Sequence, residues 1–381
     1  MAPAGDHPTA TVCFIGSFPP AAGGQGLINE SFRRMVGDAG ANVCSVDISA
    51  GPGPVTWRSR VSRIPRMLLG IWRLGALLAQ RRPDCVYLGV ASGHGQLIDL
   101  GFATLIRIFG ARSFMHYDSY AYLRKRRRVT AMLIRIAGPS PTHIVGCEDM
   151  KERLIGLYGR SLRVVVVSNA TNTTPPPRGT RARTQLKTIG FISHLSRAKG
   201  VLEFLDVADR LCSKLPNMQA LLAGPIDEPS LVPVIKQRLS EAPWITYLGP
   251  VYGEAKSQFY ADIDAFVFPT RYANEADPRV LNEALAHGVA IVAPRRGCIA
   301  SIVGGGGGAV ISEGVNFVGA ADKLLREWYE DPSLFSSISV AALANSARLE
   351  ADHGPRLTAL IREIVSPPQP PAEHPQPSTL I

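Results

Sequence analysis

The chain has 381 residues, 46% of them hydrophobic and 19% charged, which is core material for two domains of ordinary size. Its formal charge of +10, from 41 Lys and Arg against 31 Asp and Glu, points to a polyanionic partner. Six cysteines (Cys13, Cys44, Cys85, Cys147, Cys212, Cys298) show no CxxC and no close metal-ligand spacing, so they read as small core residues in a reducing compartment, which excludes a disulfide framework. No charged n-region followed by an apolar h-region opens the chain, so no secretory signal is expected. The most apolar segment, Met67 to Ala79, is interrupted by Arg73 and is too short to span a bilayer. The expectation is a cytoplasmic protein, soluble or held peripherally at a membrane.

In chain order, Thr11 to Gly16 is a short β-rich run, followed by a Pro- and Gly-rich turn and a helical pattern over Gln25 to Ala39. Strands are then predicted at Ala41 to Ile48, Cys85 to Val90, Arg112 to His116, His143 to Val145 and Arg163 to Val167. Helical patterns at Val61 to Gln80 and Gln96 to Phe109 fall between them. Thr171 to Thr184 has no apolar period and is the best linker. The alternation restarts with strands near Lys187 to Ile192, Met218 to Ala223, Ile245 to Leu248, Ala265 to Phe268 and Ala290 to Val292. Alternating strands and helices predict parallel sheets wrapped on both faces. The expected fold is α/β, two Rossmann-like domains facing across a deep cleft. The domains are placed at 1–172 and 185–349, a C-terminal helix at about 350–365 packs back on the first, and 366–381 is a disordered Pro-rich tail.

The most informative spacing is Glu275 to Glu283, with seven residues between. It follows the buried-strand run Ala265 to Pro269. Asp277 reads as an N-cap, Pro278 as the first helical residue and Gly288 as the residue that closes the helix. Pro278 opens the first turn, and the free amides of Arg279, Val280 and Leu281 that follow it form an anion site with a carboxylate on either side. Carboxylates accept from hydroxyls, so the layout suits a diphosphate flanked by two hydroxylated groups.

Three further signals lie at strand-to-helix turns. Gly23 and Gly24, after strand one, allow backbone to approach a phosphate. Lys199, before Gly200 and with His194 and Arg197 upstream, can neutralise a diphosphate. His116 ends its strand where such sheets face a cleft. Asp262 and Asp264 mimic a metal-binding Asp-x-Asp but sit at the N-terminal edge of a strand, and are read as structural. The run Gly304 to Gly308 lacks the Lys-Ser/Thr of a P-loop and is read as a flexible turn.

Over most of residues 11 to 330 the chain resembles the family 4 retaining glycosyltransferases of the GT-B fold. The resemblance rests on Glu275 and Glu283 with Ala284 to Val289 following, on Lys199–Gly200, on Gly23–Gly24 and on Asn169 after its strand. It implies that Glu275 touches the donor sugar, Glu283 the ribose and Lys199 the diphosphate, that the glycine loop abuts the diphosphate, and that His116 lies beside the reacting sugar. Two departures stand out: His194 replaces the family's usual arginine, and Cys147 replaces a serine at a helix start, read as capping variation. The implied reaction is sugar transfer from a nucleotide diphosphate sugar with retention, the departing phosphate deprotonating the acceptor, with no cofactor and no metal required.

Rival readings are a sugar-nucleotide epimerase on the same scaffold and a non-catalytic nucleotide-sugar-binding protein. No Gly-x-Gly-x-x-Gly follows strand one, which argues against an oxidoreductase. Arginines at 58, 60, 63, 66, 73, 81 and 82 flank an apolar helix, and Arg124 to Arg128 is a dense basic run. A basic, partly apolar face suits an anionic membrane surface and a lipid-linked or saccharide acceptor. No nucleic-acid motif accompanies the charge, so nucleic acid is not expected as a partner.

Overall fold

The computed structural model describes residues 10–19, 24–49, 63–172 and 180–366. Gly23, Arg58, Arg60, the centre of the expected linker and the Pro-rich tail from 367 onward lie outside the described residues.

The first sheet is built from β1 (Thr11–Gly16), β2 (Asn42–Asp47), β3 (Cys85–Gly89), β4 (Arg112–Tyr117), β5 (Thr142–Val145) and β6 (Arg163–Val166), in the order β2-β1-β3-β4-β5-β6. The second holds β7 (Thr188–Ile192), β8 (Gln219–Ala223), β9 (Ile245–Tyr247), β10 (Ala265–Val267), β11 (Ala290–Pro294) and β12 (Gly308–Ile311), in the order β12-β11-β10-β7-β8-β9. Every pairing is parallel. The strands are apolar runs because helices cover both faces. In the first domain these are α1 (Gly24–Asp38), α2 (Arg63–Ala79), α3 (Gln96–Ile108), α4 (Arg128–Ala137) and α5 (Glu148–Tyr158). In the second they are α6 (Val201–Cys212), α7 (Leu231–Glu241), α8 (Gly253–Asp262), α9 (Arg279–Ala286), α10 (Ile299–Val303) and α11 (Phe317–Glu330).

The strand orders reverse direction between β1 and β3 in one sheet and between β7 and β10 in the other. At such a point the loops leaving neighbouring strands diverge and leave a crevice at the strands' carboxyl ends. The two crevices are where ligands are held in sheets of this kind.

The C-terminal helix is longer than the sequence suggests: α12 runs Pro332–Val365, 34 residues. Asp331 caps it by accepting from the Ser333 and Leu334 amides. Its first half packs on the second domain, with Phe335 beside Trp328 and the Ser339 hydroxyl donating to the Gly288 carbonyl. Its last turns place Leu357, Leu360, Ile361 and Ile364 in one cluster with Val12, Phe14, Phe32 and Phe114 of the first domain. Gly308 opens an edge strand, β12, where the glycine run reads only as a turn; a run of glycines carries no alternation from which a strand could be read. Asp264 accepts from the Lys187 and Thr188 amides at 2.8 Å each, bracing the start of β7.

The cysteines require a correction. Cys147 and Cys298 form a disulfide with Cα atoms 5.8 Å apart, while Cys13, Cys44, Cys85 and Cys212 are free. Cys147 stands at the N-cap of α5 without a side-chain cap bond, so it is a cross-link and not a serine-like cap. The two residues are 151 apart in sequence and meet only because the exit of β5 faces the start of α10 across the domain boundary. Closing a loop of that size contributes about 5 kcal/mol in the chain-entropy treatment. Reduction is therefore expected to lower the thermal midpoint in calorimetry, and Cys147→Ser to lower it equally and abolish any further response to reductant. An unchanged midpoint in both cases would remove the cross-link's structural role.

Candidate active site

The second domain supplies most of the site from the two loops at its switch point. Leaving β7, the chain reaches Lys199 and then Gly200, which has φ +87 and lies so close to the exit of β10 that a Cβ would stand 2.2 Å from the Pro269 carbonyl oxygen. Only glycine meets both demands. The approach sets Lys199 over the β10 loop: its Nζ donates to Glu275 Oε2 at 2.7 Å and stands 4.7 Å from the Tyr272 ring centroid. Thr270 Oγ1 donates to the same oxygen at 2.9 Å. A second close approach pins the loop from behind. Gly297, at φ +51, leaves room for the Glu275 and Ala276 carbonyls, and the Cys298 amide donates to Ala276 O at 2.7 Å.

Asp277 and Pro278 are displaced by one step from their expected places. The helix α9 begins at Arg279, with Pro278 at the cap and no side-chain cap bond. Asp277 is drawn away by the first domain: its carboxylate accepts from Ser168 Oγ at 3.0 Å and from the Asn169 amide at 2.7 Å, as well as from Asn282 Nδ2 at 3.2 Å. The Asn169 side chain donates to the Asp277 carbonyl at 2.8 Å. Val280 and Leu281 follow in the first turn; Leu281 is fully buried, and the Val280 carbonyl accepts from Tyr260 OH. Glu283 is 6% exposed, and its Oε2 accepts from Tyr260 OH at 2.9 Å and from Lys256 Nζ at 2.6 Å. Gly288, at φ +68, ends the helix.

His194 and Arg197 do not join this group. His194 Nδ1 pairs with Asp227 at 3.0 Å, and the Arg197 amide donates to Glu228 Oε1 at 3.0 Å. Both acids lie on the loop after β8, which competes for these side chains.

On the first domain's side, Gly24 opens α1, and Gln25 Nε2 donates to the Val90 carbonyl at the exit of β3. His116 is at the end of β4, but its side chain is enclosed: Nδ1 lies 2.5 Å from Tyr87 OH and the ring meets Phe32 edge-on at 5.0 Å. Burial lowers its pKa to about 4, so it is neutral at pH 7. Its neighbour Asp118, which no sequence motif singles out, lies against the second domain. Burial raises its pKa, and the charges of Asp277 and Glu275 raise it further. Burial likewise pushes Asp277 up to about 6, against the pull of the Asn169 amide and the Ser168 hydroxyl. The Tyr120 amide donates to the Asn274 carbonyl, so β4's exit loop touches the glutamate loop directly. Among the described residues no group of three or more His, Cys, Asp or Glu is arranged to hold a metal ion.

The arrangement gathers an ammonium, a helix N-terminus and two carboxylates on the loops and helix that follow β7 and β10 at the second sheet's switch point. Residues 186–327 match the family described as Glycosyl transferases group 1. The fold is similar to sucrose-phosphate synthase from Thermosynechococcus elongatus (TM-score 0.72, 15% identity, 93% of this chain and 98% of that one). It is also similar to Anabaena HepE in complex with UDP-glucose (0.66, 16%, 92% and 99%) and to WaaG, a glycosyltransferase involved in lipopolysaccharide biosynthesis (0.64, 14%, 94% and 100%). No curated protein matches the chain in sequence. The chain has the two-domain GT-B fold, and its second domain matches the Glycosyl transferases group 1 family over residues 186–327.

In the first domain the exit of β3 is set by one buried acid. Asp99 of α3 is fully buried; its Oδ2 accepts from the Ala91 amide at 2.8 Å, while Oδ1 has no hydrogen-bond partner. Burial pushes its pKa from 3.8 up to about 7. A folded pKa above the unfolded one means that the contribution to stability is complete below about pH 3.8 and is lost as pH rises through 7. Asp99→Asn keeps the acceptor for Ala91 and removes the charge. It is expected to raise stability at pH 8 by on the order of 2–4 kcal/mol and to change it little at pH 4. Denaturant melts at the two pH values decide; an equal effect at both would show that Asp99 does not titrate in this range.

Proposed function

We propose that the chain transfers a sugar from a nucleoside diphosphate sugar to a hydroxyl of a saccharide or lipid-linked acceptor, with retention at the anomeric carbon. The observation that carries this reading is the placing of Lys199 and Glu275 on the two loops that flank the β7–β10 switch point, with α9 beginning four residues beyond Glu275. HepE and its UDP-glucose complex support a nucleotide-sugar donor. The involvement of WaaG in lipopolysaccharide biosynthesis supports an acceptor in surface polysaccharide or glycolipid synthesis.

In this reading the diphosphate lies at the amides of α9, between the Glu275 side and the Glu283 side, with the Gly23–Gly24 loop of the first domain over it. Lys199 and the amides take up the charge that develops as the bond from C1 to phosphate breaks. The acceptor oxygen bonds to C1 on the same face, and its proton passes to the departing phosphate. Glu275 accepts from the sugar hydroxyls and Glu283 from the ribose, while neutral His116, held by Tyr87 and Phe32, backs the first domain's wall behind the sugar. His194 and Arg197 contribute only after leaving Asp227 and Glu228. The charge of the leaving group is met by Lys199 and fixed dipoles, so the reading needs no divalent cation, and chelation with EDTA is expected to leave turnover unchanged.

Removing the contact to the reacting sugar should cost at least about a hundredfold in kcat. Glu275→Ala is therefore expected to lose transfer by that factor while retaining its circular-dichroism spectrum. The assay is turnover over a panel of UDP-, GDP- and ADP-sugars. Wild-type turnover by this variant would reject the assignment. An epimerised donor formed without acceptor would reject transfer in favour of isomerisation.

We infer further that the first domain rests on the inner face of an anionic membrane. The helices α2, α3 and α4 pack side by side on one face of the first sheet. On α2, Leu68, Leu69 and Trp72 are 58%, 44% and 69% exposed, flanked by Arg66 and Arg73. Arg124 to Arg128 stand exposed at the start of α4. Apolar side chains among basic ones suit an interface of acyl chains and anionic headgroups. Among the described residues no helix is long and apolar enough to cross a membrane. Co-sedimentation with anionic liposomes and not with neutral ones is expected, falling severalfold in Trp72→Ser. Absence of binding to both would remove the membrane reading.

A further inference from the structure

Each acid of the spaced pair carries a lysine of its own. Lys199 donates to Glu275 at 2.7 Å, from the turn after β7. Lys256 donates to Glu283 at 2.6 Å, from near the start of α8. Tyr260 stands four residues further along the same helix, and its hydroxyl meets the same oxygen, Oε2, at 2.9 Å. Residues four apart share a helix face, so α8 presents an ammonium and a hydroxyl to one carboxylate oxygen. Among the described residues no side-chain hydrogen bond or ion pair reaches Oε1 of Glu283.

This helix is a firm support. Phe259 and Tyr260 are buried, and the Tyr260 ring lies 5.3 Å from His287. Ser257 Oγ lies 3.1 Å from His287 Nε2, whose Nδ1 in turn lies 2.8 Å from the Glu283 carbonyl. The hydroxyl of Tyr260 also meets the Val280 carbonyl at 3.1 Å. So α8 braces the start, middle and end of α9, and Lys256 is the only one of these braces that is charged. Its side chain is 29% exposed against 7% for Glu283, which places the ammonium at the open edge of an enclosed carboxylate.

We propose that Lys256 is a positioning residue for the donor nucleotide. With Tyr260 it holds Oε2 of Glu283 and so fixes the plane of the carboxylate, leaving Oε1 to accept from the ribose hydroxyls. A glutamate free to turn about its last bond would meet a ribose hydroxyl in many orientations; one clamped at a single oxygen meets it in one. The inference rests on the reading of Glu283 as the ribose ligand, and the test separates the two.

Calorimetric titration is carried out with UDP, GDP and ADP and with their 2′-deoxy counterparts, on the wild type, Lys256→Met, Lys256→Arg and Glu283→Gln. For the nucleotide that binds, the wild type is expected to favour the ribose form. Lys256→Met should weaken that form by about tenfold, the worth of a charge-assisted hydrogen bond, and weaken the 2′-deoxy form, which keeps only the 3′-hydroxyl, by a smaller factor. Lys256→Arg should restore most of the preference. In turnover, Lys256→Met should raise the donor KM by a similar factor with kcat within about twofold. Loss of preference in Glu283→Gln but not in Lys256→Met overturns the role of Lys256 alone. Preference retained in Glu283→Gln overturns the ribose reading itself, and the role of Lys256 with it. Since Lys256 is partly exposed, an unchanged thermal midpoint confirms that the variant is folded; if Lys256→Met melts early, Lys256→Gln carries the same comparison.

Discussion

The buried carboxylate of Asp277 is the joint on which the site is hung. It takes a hydroxyl and an amide from the exit of β6 and an amide group from α9, so one side chain holds the two domains in register. Burying a carboxylate is costly unless donors replace its water, and three donors meet it here. Glu275 lies two residues before this joint and Glu283 six after it, so both inherit their positions from it. The disulfide Cys147–Cys298 and the contact of the Tyr120 amide with Asn274 fasten the same boundary on either side.

Topology explains why so few residues suffice. Loops that leave parallel strands on opposite sides of a switch point must part, and the crevice they leave is lined by whatever those loops carry. Here one loop carries Lys199 and the other carries Thr270, Tyr272 and Glu275. The distance between them is set by backbone against backbone at Gly200 and Pro269, which side-chain flexibility cannot alter. The precision of the Lys199–Glu275 contact is therefore a property of the sheet's packing.

The same topology decides how much of the protein is legible in its sequence. Strands buried on both faces must be apolar throughout, so eleven of the twelve strands among the described residues read as short runs bounded by turns, and two sheets follow. The glutamate spacing is legible because a helix start and a strand end lie in one short segment. What cannot be read is what depends on residues far apart in sequence. Asp277 has the local chemistry of a cap, yet its first-domain partners lie 108 and 109 residues away. Cys147 and Cys298 are further apart still. Strand ends usually open on a cleft, as expected for His116, but Phe32 of α1 and Tyr87 of β3 close over it. Lys256 gives no signal at all, since a lysine on an exposed helix is ordinary until the carboxylate beneath it is known.

The charge pattern of the gap makes its own demand on any anionic ligand. The cations at hand already serve acids: Lys199 serves Glu275 and Lys256 serves Glu283, while Arg279 lies near Asp118 and Asp277. On the proposed reading a diphosphate must draw Lys199 away from Glu275. That would strand a carboxylate in a site where its side chain is only 9% exposed, at a cost of several kcal/mol if nothing replaced the ammonium. A hydroxylated sugar at the other end of the same ligand supplies the replacement, because its hydroxyls can donate to the oxygens that Lys199 leaves. Diphosphate and sugar then stabilise the site more together than either does alone. A nucleotide without its sugar leaves Glu275 with the Thr270 hydroxyl alone, and a sugar without its diphosphate finds Glu275 already paired. Selectivity for the intact donor thus follows from one ion pair that the ligand must both break and repair.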